Sequence, residues 1–174
     1  KESVFFFTNK NGGTVTLKNG TITGGKAVVG GGIRAIGTAK DPKIPFILNV
    51  NSCHIIGNTA TGSYGTGYGG GVSLGDASTG SVSASNGSVV NGTWKDTEIS
   101  GNVGGGVLIK GVNTFKQQSM KPTILISKND LVFDNVTISN NSKQKSDAAA
   151  GLNVIYATLT ANECEITGNG QTSS

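Results

Sequence analysis

The chain has 174 residues, of which 28 are Gly, 35% are hydrophobic and only 6% are aromatic, a composition unlike that of an ordinary globular core. It holds no run of 18 apolar residues, which excludes a membrane-spanning helix, and its net charge of +4 comes from scattered lysines, which argues against nucleic-acid binding. The length fits a single domain, residues 1–174, and because the chain does not begin with Met we interpret it as a piece of a longer protein.

Two short motifs alternate along the chain and organise all the predicted elements. The first is an Ile anchor followed by x-(Gly/Asn)-(Asn/Gly), and it begins at Ile22, Ile55, Ile99, Ile138 and Ile166. The second is Gly-Gly-Gly-(Ile/Val), and it occupies residues 30–33, 69–72, 104–107 and, in degenerate form, 149–152. The strict alternation predicts a structural repeat over about residues 14–169.

Each repeat predicts three short strands, because apolar residues recur at alternate positions around both motifs. The first strand follows the Gly motif, as in Val72 and Leu74. The second begins seven residues before the Ile anchor, and the third ends at the anchor itself. The middle repeat departs from this pattern at Gly92, and there we place Trp94 in the core.

Asn and Asp residues mark the predicted corners, since both tolerate a left-handed backbone. Asn51 and Asn162 stand four residues before an anchor, and the other corner residues stand three residues before one. Asn side chains stacked from repeat to repeat can also hydrogen-bond to one another. The residues that we assign structural roles are Asn19, Asn58, Asp96, Asn102, Asn135, Asn141 and Asn169.

Three strands per repeat predict an all-β fold, a right-handed parallel β-helix (solenoid) of about five rungs, with its handedness taken from the general rule for parallel crossovers. Segments of variable length, residues 36–46, 59–68, 75–91 and 110–130, are predicted loops that flank the first strand. Residues 4–7 are expected to cap or pair with one exposed end of the stack.

The two cysteines, Cys53 and Cys164, fall in one inward column three rungs apart. At the usual strand spacing their separation is roughly 14 Å. A disulfide requires Cα atoms within about 7 Å of each other. We therefore predict two buried free thiols.

The motif pair resembles the repeats of chlamydial polymorphic outer membrane proteins and related bacterial or archaeal adhesin-like β-helix proteins. That family pairs Gly-Gly-Ala-(Ile/Leu/Val) with Phe-x-x-Asn, whereas here Gly replaces the Ala and Ile replaces the Phe. The resemblance covers about residues 14–169. It implies a secreted or cell-surface protein of adhesin type, with no cofactor and no catalytic set.

The acidic residues do not form a recognisable catalytic group. Glu98 and Glu165 share an outward column beside His54, but two rungs separate them by roughly 9–10 Å. The single arginine, Arg34, is predicted to lie outward as a solvated side chain with no Asp in its column. We predict no catalytic residue, no metal ligand and no cofactor. The alternative is a fragment of a carbohydrate-active β-helix, resembling a polysaccharide lyase or hydrolase, or a sugar-binding module.

The candidate binding residues lie in two of the predicted loops. Tyr64 and Tyr68 stand among Gly and Ser, a setting suited to recognition and to stacking on sugars, although Tyr68 could instead cover the neighbouring rung. Lys110, Lys116 and Lys121 belong to the 110–130 segment. We therefore predict a rigid stalk that presents loops to a glycan or to a surface protein of another cell. Nucleic acid is not an expected partner, membrane attachment would require regions outside this sequence, and end-to-end or edge pairing with another chain is a further expectation.

Overall fold

The computed structural model describes most of the chain, and all regular secondary structure in the described part is β. The described residues are 2–8, 12–37, 46–62, 69–75, 89–118, 121–127, 129–143, 149–155 and 157–170. Side chains are described for the same ranges except residues 112–129. No helix in these ranges is long and apolar enough to cross a membrane.

Seventeen strands are present in the described part of the chain. They are β1 (Phe5–Thr8), β2 (Gly13–Lys18), β3 (Thr21–Thr23), β4 (Lys26–Ala27), β5 (Ile33–Ile36), β6 (Phe46–Asn51), β7 (His54–Ile56), β8 (Thr59–Ala60), β9 (Val72–Gly75), β10 (Val90–Ser100), β11 (Val107–Lys110), β12 (Val112–Gln118), β13 (Lys121–Ser127), β14 (Asn129–Ser139), β15 (Leu152–Ile155), β16 (Ala157–Asn162) and β17 (Glu165–Thr167). We call β1–β4 repeat 1, β5–β8 repeat 2, β9–β10 repeat 3, β11–β14 repeat 4 and β15–β17 repeat 5.

Each repeat contributes one parallel strand to each of three ladders, which confirms the prediction of an all-β fold with parallel sheets. The first ladder has the order β1-β5-β9-β11-β15. The second has the order β2-β6-β10-β14-β16, and the third joins β3 and β7 to the C-terminal halves of β10 and β14 and then to β17. The Ile anchors pair in register from Ile22 to Ile166, so equivalent residues of successive repeats form columns.

The inward columns of the three ladders form one core. The inward side chains of these ladders that are no more than 2% exposed are Ile33, Ala35, Phe46, Leu48, Val50, Cys53, Ile55, Val72, Leu74, Val90, Trp94, Thr97, Ile99, Val107, Ile109, Leu131, Phe133, Val136 and Ile138. Leu108, on the opposite face of its strand, is also buried but belongs to a separate apolar cluster. Trp94 occupies the predicted core position, where its indole Nε1 donates to the Leu48 carbonyl oxygen at 3.1 Å. An ideal Cβ at Gly92 would lie 2.0 Å from that same oxygen, so this repeat carries Gly beside the large ring.

The corner between the second and third ladders uses the same backbone conformation in every repeat. The residue three positions before each anchor has φ between 49° and 54°: Asn19, Ser52, Asp96, Asn135 and Glu163. The prediction that Asn51 and Asn162 mark two of these corners is wrong, because both belong to strands and the next residue carries the left-handed turn. The stacked register therefore overrides the preference of Asn, although a left-handed conformation costs other residues about 1–2 kcal/mol.

Several predicted loops contain strands. Most of residues 110–130 forms an antiparallel hairpin of β12 and β13, in which Gln118 pairs with Lys121. β8 pairs with β4, and isolated bridges extend that short ladder through Val103 to Ser142. β6, β10 and β14 also begin within the predicted loops, while residues 38–45, 63–68 and 76–88 lie outside the described residues.

The N-terminal segment and the cysteines follow the predicted columns with one exception. β1 pairs in parallel with β5, with Phe5 opposite Ile33, so the segment of residues 4–7 does pair with the edge of the first ladder.

Both thiols are free, as predicted. Cys53 is buried, but Cys164 is only partly buried, because it lies in the last described repeat and only one neighbouring repeat packs against it.

Candidate functional site

A column of hydrogen-bonded Asn side chains, one from each of the last four repeats, runs through the described structure. We call Asn58, Asn102, Asn141 and Asn169 the Asn ladder. Asn58 Nδ2 donates to Asn102 Oδ1 at 3.1 Å, and the next two amides repeat the bond at 2.9 Å. The first three are at most 1% exposed.

Each ladder amide also satisfies backbone groups of the preceding repeat. Asn102 Nδ2 donates to the carbonyl oxygen of the anchor Ile55 at 2.9 Å, while Asn102 Oδ1 accepts the backbone N–H of Asn58 at 2.9 Å. The other ladder residues make the same pair of bonds at 2.8–3.0 Å. Because a buried backbone group without a partner is costly, these amides fix the repeats in register.

The Gly motif packs directly on the Asn ladder, which explains why the two motifs alternate in the sequence. An ideal Cβ at Gly71 would lie 2.8 Å from the Gly106 carbonyl oxygen and 2.9 Å from Asn102 Nδ2. Gly32, Gly106 and Gly151 occupy the equivalent positions, each with an oxygen or amide nitrogen at 3.0 Å or less. The third residue of this motif therefore has no room for the Ala of the family that the sequence resembles.

The outer face of the third ladder carries one hydrogen-bonded cluster of chemically versatile side chains. His54 pairs with Glu98 in register, and His54 Nδ1 lies 2.9 Å from Glu98 Oε2. The Ser100 hydroxyl donates to Glu98 Oε1 at 2.6 Å. The side chains of His54 and Glu98 are 58% and 41% exposed, so this cluster is open to a ligand.

The cluster keeps Glu98 ionised. The hydrogen bond from Ser100, and then the bond to His54, hold the pKa of Glu98 below its ordinary value. A general acid needs the opposite shift. Thr137 lies between Glu98 and Glu165 in the register. In the described part of the chain, no three His, Cys, Asp or Glu side chains are placed to hold a metal ion.

The prediction of a solvated Arg34 is wrong. Arg34 is partly buried, its Nε is buried with no hydrogen-bond partner, and its guanidinium carbon lies 5.0 Å from the centre of the Phe6 ring. The next residues in this outward column, Ser73 and Leu108, are 0% and 1% exposed. Leu108 belongs to a second apolar cluster with Val29, Ala60 and Ile155, so part of the outer face of the first ladder is covered by protein.

The candidate binding residues are not brought together by any described contact. Lys110 ends β11 and is partly buried. Lys116 and Lys121 lie on the hairpin strands β12 and β13, and their side chains are outside the described residues. Tyr64 and Tyr68 also lie outside the described residues.

The connections of variable length are those that enter the first ladder from the third or leave it toward the second. The hairpin and the segments 38–45 and 76–88 follow its strands, while 63–68 and 144–148 precede them. By contrast, the second and third ladders are joined by two residues in repeats 1, 2 and 5 and by a continuous strand in repeats 3 and 4. Sequence spacing predicted where these insertions fall. The contact between His54 and Glu98 could have been found from the same register.

Comparisons with known proteins identify no relative: no protein-family model, no curated protein and no solved structure matches this chain.

Proposed function

We propose that the chain is a right-handed parallel β-helix of five rungs that acts as a non-catalytic stalk of adhesin type, secreted or on a cell surface, which presents loops to a glycan or a surface protein. The observation that carries this proposal is the confinement of insertions to the flanks of the first ladder. A scaffold with one invariant side and one variable side suits recognition by the variable side.

The order of the three ladders supports a β-helix. The chain visits the first, second and third ladders in the same order in all five repeats, and every pairing between the ladder strands is parallel. Parallel crossover connections are right-handed in nearly all proteins, which gives the proposed hand.

The Asn ladder and the Gly motif support a stiff rod. Each repeat is bonded to the next through its backbone and through an Asn side chain of the ladder. The third residue of each Gly motif packs so closely on this ladder that a side chain larger than that of Gly does not fit. Nearest-neighbour contacts of this kind make repeat proteins quasi-one-dimensional scaffolds. Such a scaffold holds its loops at fixed spacing along one side.

The acidic residues favour a non-catalytic protein. Glu98 has a lowered pKa, and Thr137 separates it from Glu165 in the column, so this pair does not provide the neighbouring acid and base that sugar hydrolysis needs. We therefore assign recognition to the loops and to the strand end beside them, with Tyr64, Tyr68 and Lys110, the last residue of β11, as the first contact candidates.

The alternative function is sugar binding, or a place in a carbohydrate-active β-helix. It is favoured by the exposed cluster of His54, Glu98 and Ser100, whose donors and acceptors match sugar hydroxyls. This cluster lies on the third ladder and shares no residue with the candidate loops, so binding there is separable from binding by the loops by mutation.

A glycan and extracellular-matrix array tests both sites. We expect the chain to bind a ligand, and the double variant Tyr64→Ser, Tyr68→Ser to lose binding at least about tenfold, the effect of removing stacking aromatic rings. The matched control, His54→Gln with Glu98→Gln, should bind normally. Loss only in that control would support the alternative, and an array with no reproducible ligand would overturn the proposed role of the loops in recognition.

Length-matched shortening provides a second variant. Val107 follows its anchor by 8 residues, whereas Val72 follows its anchor by 17. Deleting residues 60–68 therefore gives both connections the same length and keeps both motifs. If the shortened chain keeps a Trp94 emission typical of a buried indole but still binds its ligand, the 59–68 segment is not the recognition site.

A further inference from the structure

We propose that the edge formed by β15, β16, β17 and Asn169 is a docking surface for one more parallel β-repeat that carries an Asn at the ladder position. We call it the C-terminal edge, and we call the edge formed by β1, β2 and β3 the N-terminal edge. This inference concerns assembly and does not depend on the adhesin function.

The two edges differ in how well they are covered. The anchor of repeat 1, Ile22, is 3% exposed, whereas the equivalent anchor of repeat 5, Ile166, is 53% exposed. The first ladder does not share this difference, since Val154, an inward residue of β15, is 39% exposed and Phe5 of β1, opposite the inward Ile33, is 37% exposed. The C-terminal edge therefore presents core positions to solvent, as an interface does before its partner binds.

The N-terminal edge is partly covered by its own chain. Lys26 N–H donates to the Glu2 carbonyl oxygen at 3.2 Å, and the rings of Phe5 and Phe7 stack at 5.7 Å. The ladder position of repeat 1 is Gly25, where an ideal Cβ would lie 1.8 Å from the Gly31 carbonyl oxygen. The Asn ladder therefore ends at this edge, because no side chain fits there.

The C-terminal edge presents the hydrogen-bond donors that would continue the Asn ladder into a further repeat. In earlier repeats the N–H of Gly57 and of Asn140 donate to the next repeat at 3.3 and 3.2 Å, and each ladder residue sends its own N–H and its Nδ2 to the next Oδ1. Gly168 and Asn169 occupy the same positions in repeat 5. Within the described residues, Asn169 Nδ2 donates only to Ile138 and Thr167 carbonyl oxygens.

These donors specify the partner. A repeat with Asn at the ladder position supplies one Oδ1 that accepts both Asn169 groups. A second copy stacked head to tail would present Gly25, which has no side-chain oxygen. If two copies joined through their C-terminal edges, the Asn169 donors of one copy would face those of the other. The glutamates Glu163 and Glu165 would likewise face the same glutamates of the second copy. Because these two glutamates are the only charged residues in 149–170, the partner repeat should also be basic at the facing positions.

A tethered probe tests the proposal with the full chain. The probe is residues 149–170 with the substitutions E163K and E165K, attached after residue 174 through a flexible Gly/Ser linker of about 12 residues, which keeps it at millimolar effective concentration. The measurement is hydrogen exchange of the Gly168 amide under reducing conditions. We expect exchange to slow at least about tenfold relative to the untethered chain, because docking pairs this N–H.

Matched variants locate and identify the contact. N169A in the probe removes only the ladder acceptor and should abolish most of the slowing. Ile166→Lys in the chain should abolish it too, while Val4→Lys, an exposed position near the N-terminal edge, should leave it unchanged. Unchanged exchange of the Gly168 amide with the tethered probe, or equal slowing by the N169A probe, would overturn the proposal. Concentration-dependent self-association of the untethered chain that slows this amide would also overturn it, by making a second copy the occupant.

Discussion

Removing one amide from the middle of the Asn ladder should cost much of the stability of the domain. Asn102 is fully buried, and Asn102→Ala deletes four hydrogen bonds: two donated by Nδ2 and two accepted by Oδ1. The Asn58 N–H and the Ile55 carbonyl oxygen then lose these partners in the interior. At about 1–3 kcal/mol for each buried group without a partner, we expect a loss of about 2–6 kcal/mol in the free energy of unfolding.

Urea unfolding followed by Trp94 fluorescence measures this loss. The chain has a single Trp, Trp94, which is fully buried on β10. Asn102 follows β10 in the same repeat, so Trp94 fluorescence reports unfolding of the repeat that carries the substitution. The unfolding midpoint should fall while the slope with urea stays constant, since the same surface is exposed.

A matched control separates the ladder from Asn side chains in general. Asn91 lies on β10, the strand that carries Trp94, and its Oδ1 accepts the backbone N–H of Asp130 at 2.9 Å on the exposed face. Because water can replace this acceptor, Asn91→Ala should cost no more than about 1 kcal/mol. If Asn102→Ala were as mild as Asn91→Ala, the buried ladder would not be the bond that fixes the register, and our account of the motif pairing would fail.

Three further predictions test the packing, a corner and a surface pair. Gly71→Ala should destabilise the fold by about 1–3 kcal/mol, because its Cβ would press on backbone and amide atoms. The control Gly20→Ala, in which the nearest atom to the Cβ is 3.8 Å away, should cost less than about 1 kcal/mol. Equal urea midpoints for the two variants would contradict the packing argument. Ser52→Asn should raise the thermal midpoint, since Asn tolerates the left-handed φ of 51° better than Ser does, and a lower midpoint would contradict that explanation of the corner. The pKa of Glu98 is lowered in the folded chain, so its contribution is present above the unfolded value of 4.5 and is lost as the pH falls through the folded value. The stability difference between wild type and Glu98→Gln should therefore be small at pH 7 and shrink further at pH 3, and a difference that grew on acidification would refute this sign.

The inward columns of the second and third ladders were predictable because the spacing between their strands is the same in every repeat. Every second strand has an inward position seven residues before its Ile anchor, so residues such as Leu48 and Leu131 could be placed without knowing the loops. Gly92 and Trp94 depart from the apolar pattern, but both pair in the expected register, with Leu131 and Phe133.

The outer face of the first ladder could not be predicted from alternation. Period-two patterning states which side chains share a face, but it does not state whether protein or water covers that face. Leu108 was on the predicted outward side and is nonetheless buried, because Val29 and Ala60 come from segments that follow the Ile motif in other repeats. The prediction of a solvated Arg34 failed for the same general reason, because its Nε is buried and its guanidinium lies against the Phe6 ring.

The Asn ladder and the Gly motif together explain where this chain tolerates insertions. Any residue added between the second ladder and the Asn of the Ile motif would shift that Asn by one position and leave a buried N–H and a buried carbonyl oxygen without partners in two repeats. Residues added beyond the Gly motif and the first strand disturb neither bond, and loop closure grows only slowly more costly with length. Length variation is therefore expected only beside the first ladder, where 38–45, 76–88 and the β12–β13 hairpin occur. Since only that side can vary without loss of register, a change of ligand specificity in a protein built this way is expected to arise there.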